Sequence, residues 1–467
     1  MSATSERGSH PSANCVDSVI LPHPVVSPAR VLLIHHDSGS RIAWSLPSLA
    51  SSERHFWQTT VGLNRLVAEE FGVRAVALRC VSIEEDGECE RFVYEMDTLA
   101  CAAHDIDNSR WVTLADLKAI EIEPPADRAL IERWLIEQTT GAIPTLRPAW
   151  SRRGWFADAI ARLESLVASQ RRTLHSPIEQ LRTWGRSTVL RAPTSSGDVY
   201  LKVVPAVFAH EVAVTRFLEK RHPNSGVTLF PAPVEPDWLL MEALPGTPLE
   251  EIKELGAWER ALESLARLQI DLIPACDDLR ALGCPERSLS GLRDALLDIA
   301  SDDELQLLGR DGGLTIEQSG LLSSGVPNLQ AACDELASLS IPSSLDHGDL
   351  HPGNVVVGGL HDRFFDWSDC AISHPFFSLV LYYEDTAGAL EQDETTRSAI
   401  RAAYQKPWVR LLPETDLLRA FELAQLLAPI AYAWTYQSQV LPGLEQQWEM
   451  HRMAPHYLRT ALKRLSE

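Results

Sequence analysis

Apolar and polar positions alternate in distinct ways along this chain. The runs VLLIHH, AVALRCVSI and RFVYEMDTL are short and rich in β-branched or aromatic residues, which predicts strands. HFWQTTVGLNRLVAEEFGV and ADRALIERWLIEQ carry apolar residues at helical spacing. Together they predict a small α/β domain over residues 28–142. Residues 1–27 are rich in Ser, Pro and His without periodicity and read as a disordered lead-in. In TGAIPTLRPAWSRRG, the residues Gly141, Pro144, Pro148 and Gly154 break the pattern before WFADAIARLESLVASQ resumes it as an amphipathic helix. Residues 143–174 therefore read as a linker and connecting helix, and a second domain runs from His175 to the end, with no internal repeat.

At 467 residues the chain has room for two or three domains, each able to bury a core. A hydrophobic share of 45% and a charged share of 23% place it among globular proteins. The formal net charge of −22 argues against a sequence-independent grip on nucleic acid or an anionic membrane, because phosphate neutralisation needs clustered Lys and Arg. It is compatible with a cationic partner and with a solvated acidic surface. The eight cysteines are scattered without a CxxC pair, so they read as reduced and not as a zinc site. The first residues lack the apolar core of a secretory signal, and FELAQLLAPIAYAWTY is interrupted by Glu422 and Gln425; a soluble cytoplasmic protein is the expectation.

The chemistry concentrates in LDHGDLHPGNVVVGGLHDRFFDW, where His347, Asp349, His351, Asn354 and Asp366 stand among short apolar runs. Polar groups at this density are not selected by packing. After Asn354 the sequence reads as a strand, a turn at Gly358 and Gly359, and a returning strand into Asp366. A hairpin brings its end back to its beginning, so Asn354 and Asp366 should sit side by side with Asp349 on the loop before them. Two oxygen ligands beside a free carboxylate suit Mg²⁺, which takes few protein oxygens and completes its shell with phosphate and water.

The order Asp, four residues, Asn, hairpin, Asp is that of the catalytic loop and metal-binding Asp of kinases. With His347, Gly348, Asp349, Asn354, Asp366 and Trp367 in place, the segment resembles the aminoglycoside phosphotransferase and choline kinase-like family. The resemblance implies Asp349 as catalytic base, Asn354 and Asp366 as metal ligands, and ATP as co-substrate. It implies a lysine on the nucleotide phosphates, supplied by Lys202 in VYLKVVP, and a carboxylate to hold it, Glu211, which shares a helix face with Val214 and Leu218. WLLMEALPGTPL is the hinge candidate, where Glu242 to Leu244 would meet adenine. The nucleotide loop is read around Gly185, Arg186 and Ser187, without a GxGxxG. The short path from Asp366 to Pro375 leaves no room for a peptide-docking activation loop, so a small molecule is the expected acceptor. Glu384, Asp385 and Trp434 are candidates to bind it.

RLVAEEFGV resembles the Nudix hydrolase box at Arg65, Val67, Glu69, Glu70, Gly72 and Val73. It departs where Ser51, Trp57 and Leu66 fall in that register, which leaves too few acids for the divalent ions of pyrophosphate hydrolysis. The expectation is an α+β, two-lobed protein-kinase-like (aminoglycoside phosphotransferase) fold, with lobes at 175–245 and 246–467, preceded by a small α/β Nudix-like accessory domain. The function expected is ATP- and Mg²⁺-dependent phosphorylation of a small-molecule hydroxyl of aminoglycoside, sugar or amino alcohol type. Two alternatives are a nucleotide-sensing pseudokinase and a Nudix-type hydrolase with a regulatory kinase-like half. The intact Asp349, Asn354 and Asp366 count against the first, Trp57 and Leu66 against the second.

Overall fold

The structure is a computed structural model that describes residues 15–24, 27–38, 41–51, 55–86, 89–101, 106, 108–232, 235–380, 389–390, 393–448 and 450–465. These residues form two compact units. One comprises the described residues up to 205 together with those of 231–240, and the other those of 206–230 and from 241 onward.

In the first unit β1 (Cys15–Ile20), β2 (Val31–Ser38), β3 (Arg41–Ser45) and β4 (Ser48–Ser51) precede helix α1 (Val61–Phe71). The long strands β5 (Val73–Asp86) and β6 (Cys89–Cys101), then β7 (Ser109–Val112), α2 (Pro125–Thr140) and α3 (Trp155–Ser169), follow. One sheet has the order β4-β1-β6-β5, with β1 parallel to β6, and a second has the order β3-β2-β7. Their core joins Ile20, Val31, Leu33, Val93 and Val112 to Ile131, Trp134 and Leu135 of α2. Gly72 closes α1 in the left-handed conformation at φ 62°, where the absent Cβ removes the steric cost, and its N–H donates to the Ala68 carbonyl.

Two expectations change here. Residues 15–20 lie within the stretch read as a lead-in, yet β1 is an interior strand. The buried Asp17 and Ser18 break its apolar pattern, and only neighbours distant in sequence reveal the strand. The helix read over residues 55–73 is confined to Val61–Phe71, because the chain before it turns, with the Thr59 N–H on the Phe56 carbonyl, and bridges to Arg182 of a distant strand.

Most of a third sheet lies in this unit, made of β8 (Glu179–Thr183), β9 (Thr188–Thr194), β10 (Gly197–Val203) and β11 (Trp238–Glu242) in the order β11-β10-β9-β8, with β8, β9 and β10 antiparallel. Burial alternates along β9, as a half-covered sheet requires.

The second unit is mostly helical. It contains α4 (His210–Arg221), α5 (Leu255–Leu272), α6 (Cys276–Ala281), α7 (Leu289–Ser301), α8 (Ile316–Ser338), α9 (Glu394–Gln405), α10 (Glu414–Thr435) and α11 (Met450–Leu465). The short strands β12 (Thr247–Pro248), β13 (Ser344–Asp346), β14 (Val355–Val357), β15 (Arg363–Phe364) and β16 (Ala371–Ser373) form two small sheets, β12-β14-β15 and β13-β16. Helices α7, α8, α10 and α11 pack on one another, and α9 packs on α5. Among the described residues no helix is long and apolar enough to cross a membrane.

Candidate active site

The polar cluster is built by short strands whose ends are tied to buried side chains. β13 pairs with β16, Asp346 opposite Ala371, and the chain then leaves the sheet at His347. The His347 backbone N–H donates to Ser378 Oγ at 3.0 Å, and its Nε2 lies 3.0 Å from the Phe365 carbonyl, so Nε2 carries the proton. The ring is tilted on Trp367 at 4.4 Å between centroids. Burial holds the imidazole neutral by pushing its pKa down, against the opposing pull of the Asp349 and Asp366 carboxylates. His347 is therefore a neutral strut linking the loop to the Asp366 segment.

Gly348 follows at φ 75°, and a Cβ there would stand 2.1 Å from the Asp369 carbonyl oxygen. Neither neighbour is a flexible side-chain tip, so the close approach of the two segments requires glycine. Gly348→Ala is expected to lower the thermal midpoint by at least about 5 °C or prevent accumulation of folded protein, read by circular dichroism. An unchanged midpoint would remove the close approach from the account.

Ser378, which holds His347, sits on the turn Pro375–Ser378, capped where His374 Nδ1 accepts the Phe376 N–H at 3.3 Å. His374 is buried among Phe376 and Phe377, and burial pushes its pKa down to about 3. A histidine held neutral in the fold and titrating near 6.5 when unfolded stabilises the fold fully above that value. The contribution is lost as pH falls from about 6.5 toward about 3, on the order of a few kcal/mol in all. His374→Asn keeps an acceptor for the cap and removes the titration. Its urea midpoint is expected to fall less steeply than the parent's between pH 6.5 and 4, and parallel profiles would refute the assignment.

After Asp349 the chain turns through Pro352–Asn354, where His351 Nδ1 accepts the Gly353 N–H at 3.2 Å. The Asn354 side-chain NH₂ donates to the Asp349 carbonyl at 2.9 Å, which fixes the amide and leaves Oδ1 to act as a ligand. The hairpin forms as expected: Val355 faces Phe364, and the Phe365 N–H donates to the Asn354 carbonyl at 3.2 Å. That returns the chain to Asp366 beside Asn354. Asp366 has φ 64° and ψ 63°, a left-handed conformation that costs a side-chain-bearing residue about 1 kcal/mol and recurs at functional sites. Ser368 Oγ lies 3.0 Å from both Asp366 Oδ1 and Asp369 Oδ2, which steadies the carboxylate.

Among the described residues no group of three His, Cys, Asp or Glu side chains could hold a metal by itself. One fixed amide oxygen and one carboxylate fit Mg²⁺ bound jointly with phosphate and water.

Glu211 and the apolar Val214 and Leu218 are all buried on α4, as their spacing requires. The helix packs on the turn Trp367–Asp369, and the Glu211 charge helps push the Cys370 thiol up. Lys202 is buried in β10, opposite Val189 of β9. In the turn between β8 and β9, Ser187 Oγ accepts the Trp184 indole N–H at 3.0 Å, and the Arg186 guanidinium lies over the Trp184 ring. Glu242 ends β11 with its N–H on the Thr228 carbonyl, and Leu244 follows half-buried in the open chain.

The acceptor candidates fare differently. Glu384 and Asp385 lie outside the described residues. The Trp434 ring is against Gly291 of α7, its edge 2.9 Å from where a Cβ of that glycine would stand. A cavity of about 10 Å³ adjoins Asp349 and is walled by Gly348, Asp369, Tyr432, Thr435, Tyr436 and Tyr457. Tyr432, Thr435 and Tyr436 stand at i, i+3 and i+4, one face of α10 and its continuation, whereas Trp434 points from another.

With this geometry in view, comparison by sequence profile matches the phosphotransferase enzyme family (APH) over residues 178–421. The chain belongs to that family: it is a phosphotransferase with a protein-kinase-like fold that combines helix and strand. No curated protein matches it in sequence. Similar solved structures include a macrolide 2'-phosphotransferase, MphH, from Brachybacterium faecium, at 18% identity and TM-score 0.45, covering 64% of this chain and 98% of that one. A choline/ethanolamine kinase family protein from Mesorhizobium loti is 15% identical at TM-score 0.46, covering 67% and 95%. An ethanolamine kinase from Plasmodium vivax is 13% identical at TM-score 0.46, covering 70% and 93%.

Proposed function

We propose that this protein is an ATP-dependent small-molecule kinase that moves the γ-phosphoryl group of ATP to an acceptor hydroxyl. The observation that carries the reading is the joint between loop and hairpin: Asn354 donates to the Asp349 carbonyl, and the returning strand brings a left-handed Asp366 beside it. A loop serving only to connect strands has no use for a strained aspartate, a fixed amide and a buried carboxylate in one place.

In this reading Asp349 accepts the proton of the attacking hydroxyl and orients its lone pair toward the phosphorus. Asn354 and Asp366 hold Mg²⁺, which when bound neutralises charge on the phosphate oxygens. Lys202 steadies the nucleotide phosphates, and the end of β11 from Glu242 to Leu244 meets the base. The acceptor hydroxyl approaches Asp349 past Thr435 and Tyr436. The elements from β1 to α2 form an accessory domain of Nudix-like type without the acids needed for hydrolysis.

The test is incubation of the full chain with ATP, Mg²⁺ and a panel of aminoglycosides, macrolides, sugars and amino alcohols, following ADP release and the mass of the acceptor. A gain of one phosphoryl group by a panel member is expected. Binding of Mg-ATP with no transfer to any member would favour a nucleotide sensor instead.

A further inference from the structure

The segment before α1, whose spacing predicts helix, instead turns at residues 57–58 and makes an antiparallel β-bridge to the nucleotide-loop sheet at Thr59. The Thr183 N–H donates to the Gln58 carbonyl at 2.9 Å, and the Thr60 N–H to the Leu181 carbonyl at 3.1 Å, with Thr59 opposite Arg182. Residues 58–60 therefore cover the free edge of β8, the strand that leads into the Trp184–Ser187 turn.

Side chains repeat the connection twice. Gln180 of β8 is buried: its Oε1 accepts from Thr60 Oγ1 at 3.0 Å and Asn64 Nδ2 at 2.8 Å, and its Nε2 donates to the Ala77 carbonyl of β5 at 2.7 Å. At the turn, the Trp57 ring meets the Trp184 ring edge-on at 6.0 Å, and Trp150 Nε1 donates to the Trp184 carbonyl at 3.0 Å. Trp57 is itself pinned, its carbonyl accepting the Tyr94 hydroxyl of β6 at 2.9 Å. Trp184 in turn sets the loop, through its N–H on the Ser187 carbonyl at 3.0 Å, its indole on Ser187 Oγ, and the Arg186 guanidinium over its ring.

We infer that the accessory domain is the anchor of the nucleotide loop, with Trp57 and Gln180 as positioning residues that set nucleotide affinity. A turn with no glycine-rich cradle gains its order from outside, and ordering before binding lowers the entropy that nucleotide binding must offset. The inference rests on the kinase reading for the identity of the ligand, but the anchoring itself can be measured without nucleotide.

The experiment compares full-length parent, Trp57→Ala, Trp57→Phe and Gln180→Ala in two measurements. Hydrogen exchange without ligand is expected to show the Thr183 and Trp184 amides exchanging at least about tenfold faster in Trp57→Ala. Calorimetry is expected to show Mg-ATP bound about tenfold more weakly, with Trp57→Phe within about threefold of the parent on both because it keeps the edge contact. If Trp57→Ala does not fold, Gln180→Ala carries the same expectation. A lower thermal midpoint with unchanged exchange and affinity would make these contacts merely structural and overturn the inference, as would faster exchange with unchanged affinity. A parent that binds no Mg-ATP would overturn the kinase reading, while the exchange measurement would still decide the anchoring.

Discussion

Asp349→Asn is expected to turn over the acceptor at least about 100-fold more slowly than the parent while binding Mg-ATP within about threefold of it. The substitution is close to isosteric. The 2.9 Å bond from Asn354 is to the Asp349 backbone carbonyl, so the loop keeps that tie whatever the side chain. What is removed is the carboxylate lone pair to which the proposed mechanism assigns the hydroxyl proton. Single-turnover kinetics with a confirmed acceptor, beside calorimetry with Mg-ATP, separate the two effects. Turnover within about threefold of the parent would assign the base to another group.

Removing the carboxylate at Asp366 is the second large effect. Asp366→Ala is expected to abolish the Mg²⁺-dependent part of ATP binding, since Asn354 alone offers a neutral oxygen to the ion. The left-handed backbone complicates that variant, because Ala pays more than Asp or Asn at φ 64°. Asp366→Asn is therefore the sharper comparison: Asn tolerates the conformation and can still face Ser368, yet it carries no charge. It is expected to weaken Mg-ATP binding at least about tenfold, with binding of metal-free ATP unaltered. Equal Mg-ATP affinity in parent and Asp366→Asn would remove Asp366 from the metal site.

The hairpin was legible because its information is local. VVV, a double glycine and RFF specify two strands and a turn within a dozen residues, and the geometry of a hairpin leaves the ends no choice but to meet. Glu211 was legible for a similar reason: helical spacing alone puts it on the buried face with Val214 and Leu218. Neither strand β1 nor the segment at 58–60 carries such a local signal. Asp17 and Ser18 read as exposed polar residues until β4 and β6 enclose them, and QTT continues a helical pattern until β8 offers backbone partners.

By itself, then, the sequence determined the hairpin between Asn354 and Asp366, the buried face that carries Glu211, and the family whose motif those residues match. Each depends on side-chain chemistry at fixed short separations along one chain. The tertiary structure decided what depends on partners far apart in sequence. It set the left-handed turn at Asp366, the glycine forced by the approach of Asp369 to Gly348, and the face of α10 beside Asp349. It also brought Trp57 against Trp184 and Asn64 against Gln180, each pair more than a hundred residues apart in sequence. Backbone hydrogen bonds and ring contacts between such segments form only when burial brings them together, and no periodicity along the chain records which segments those will be.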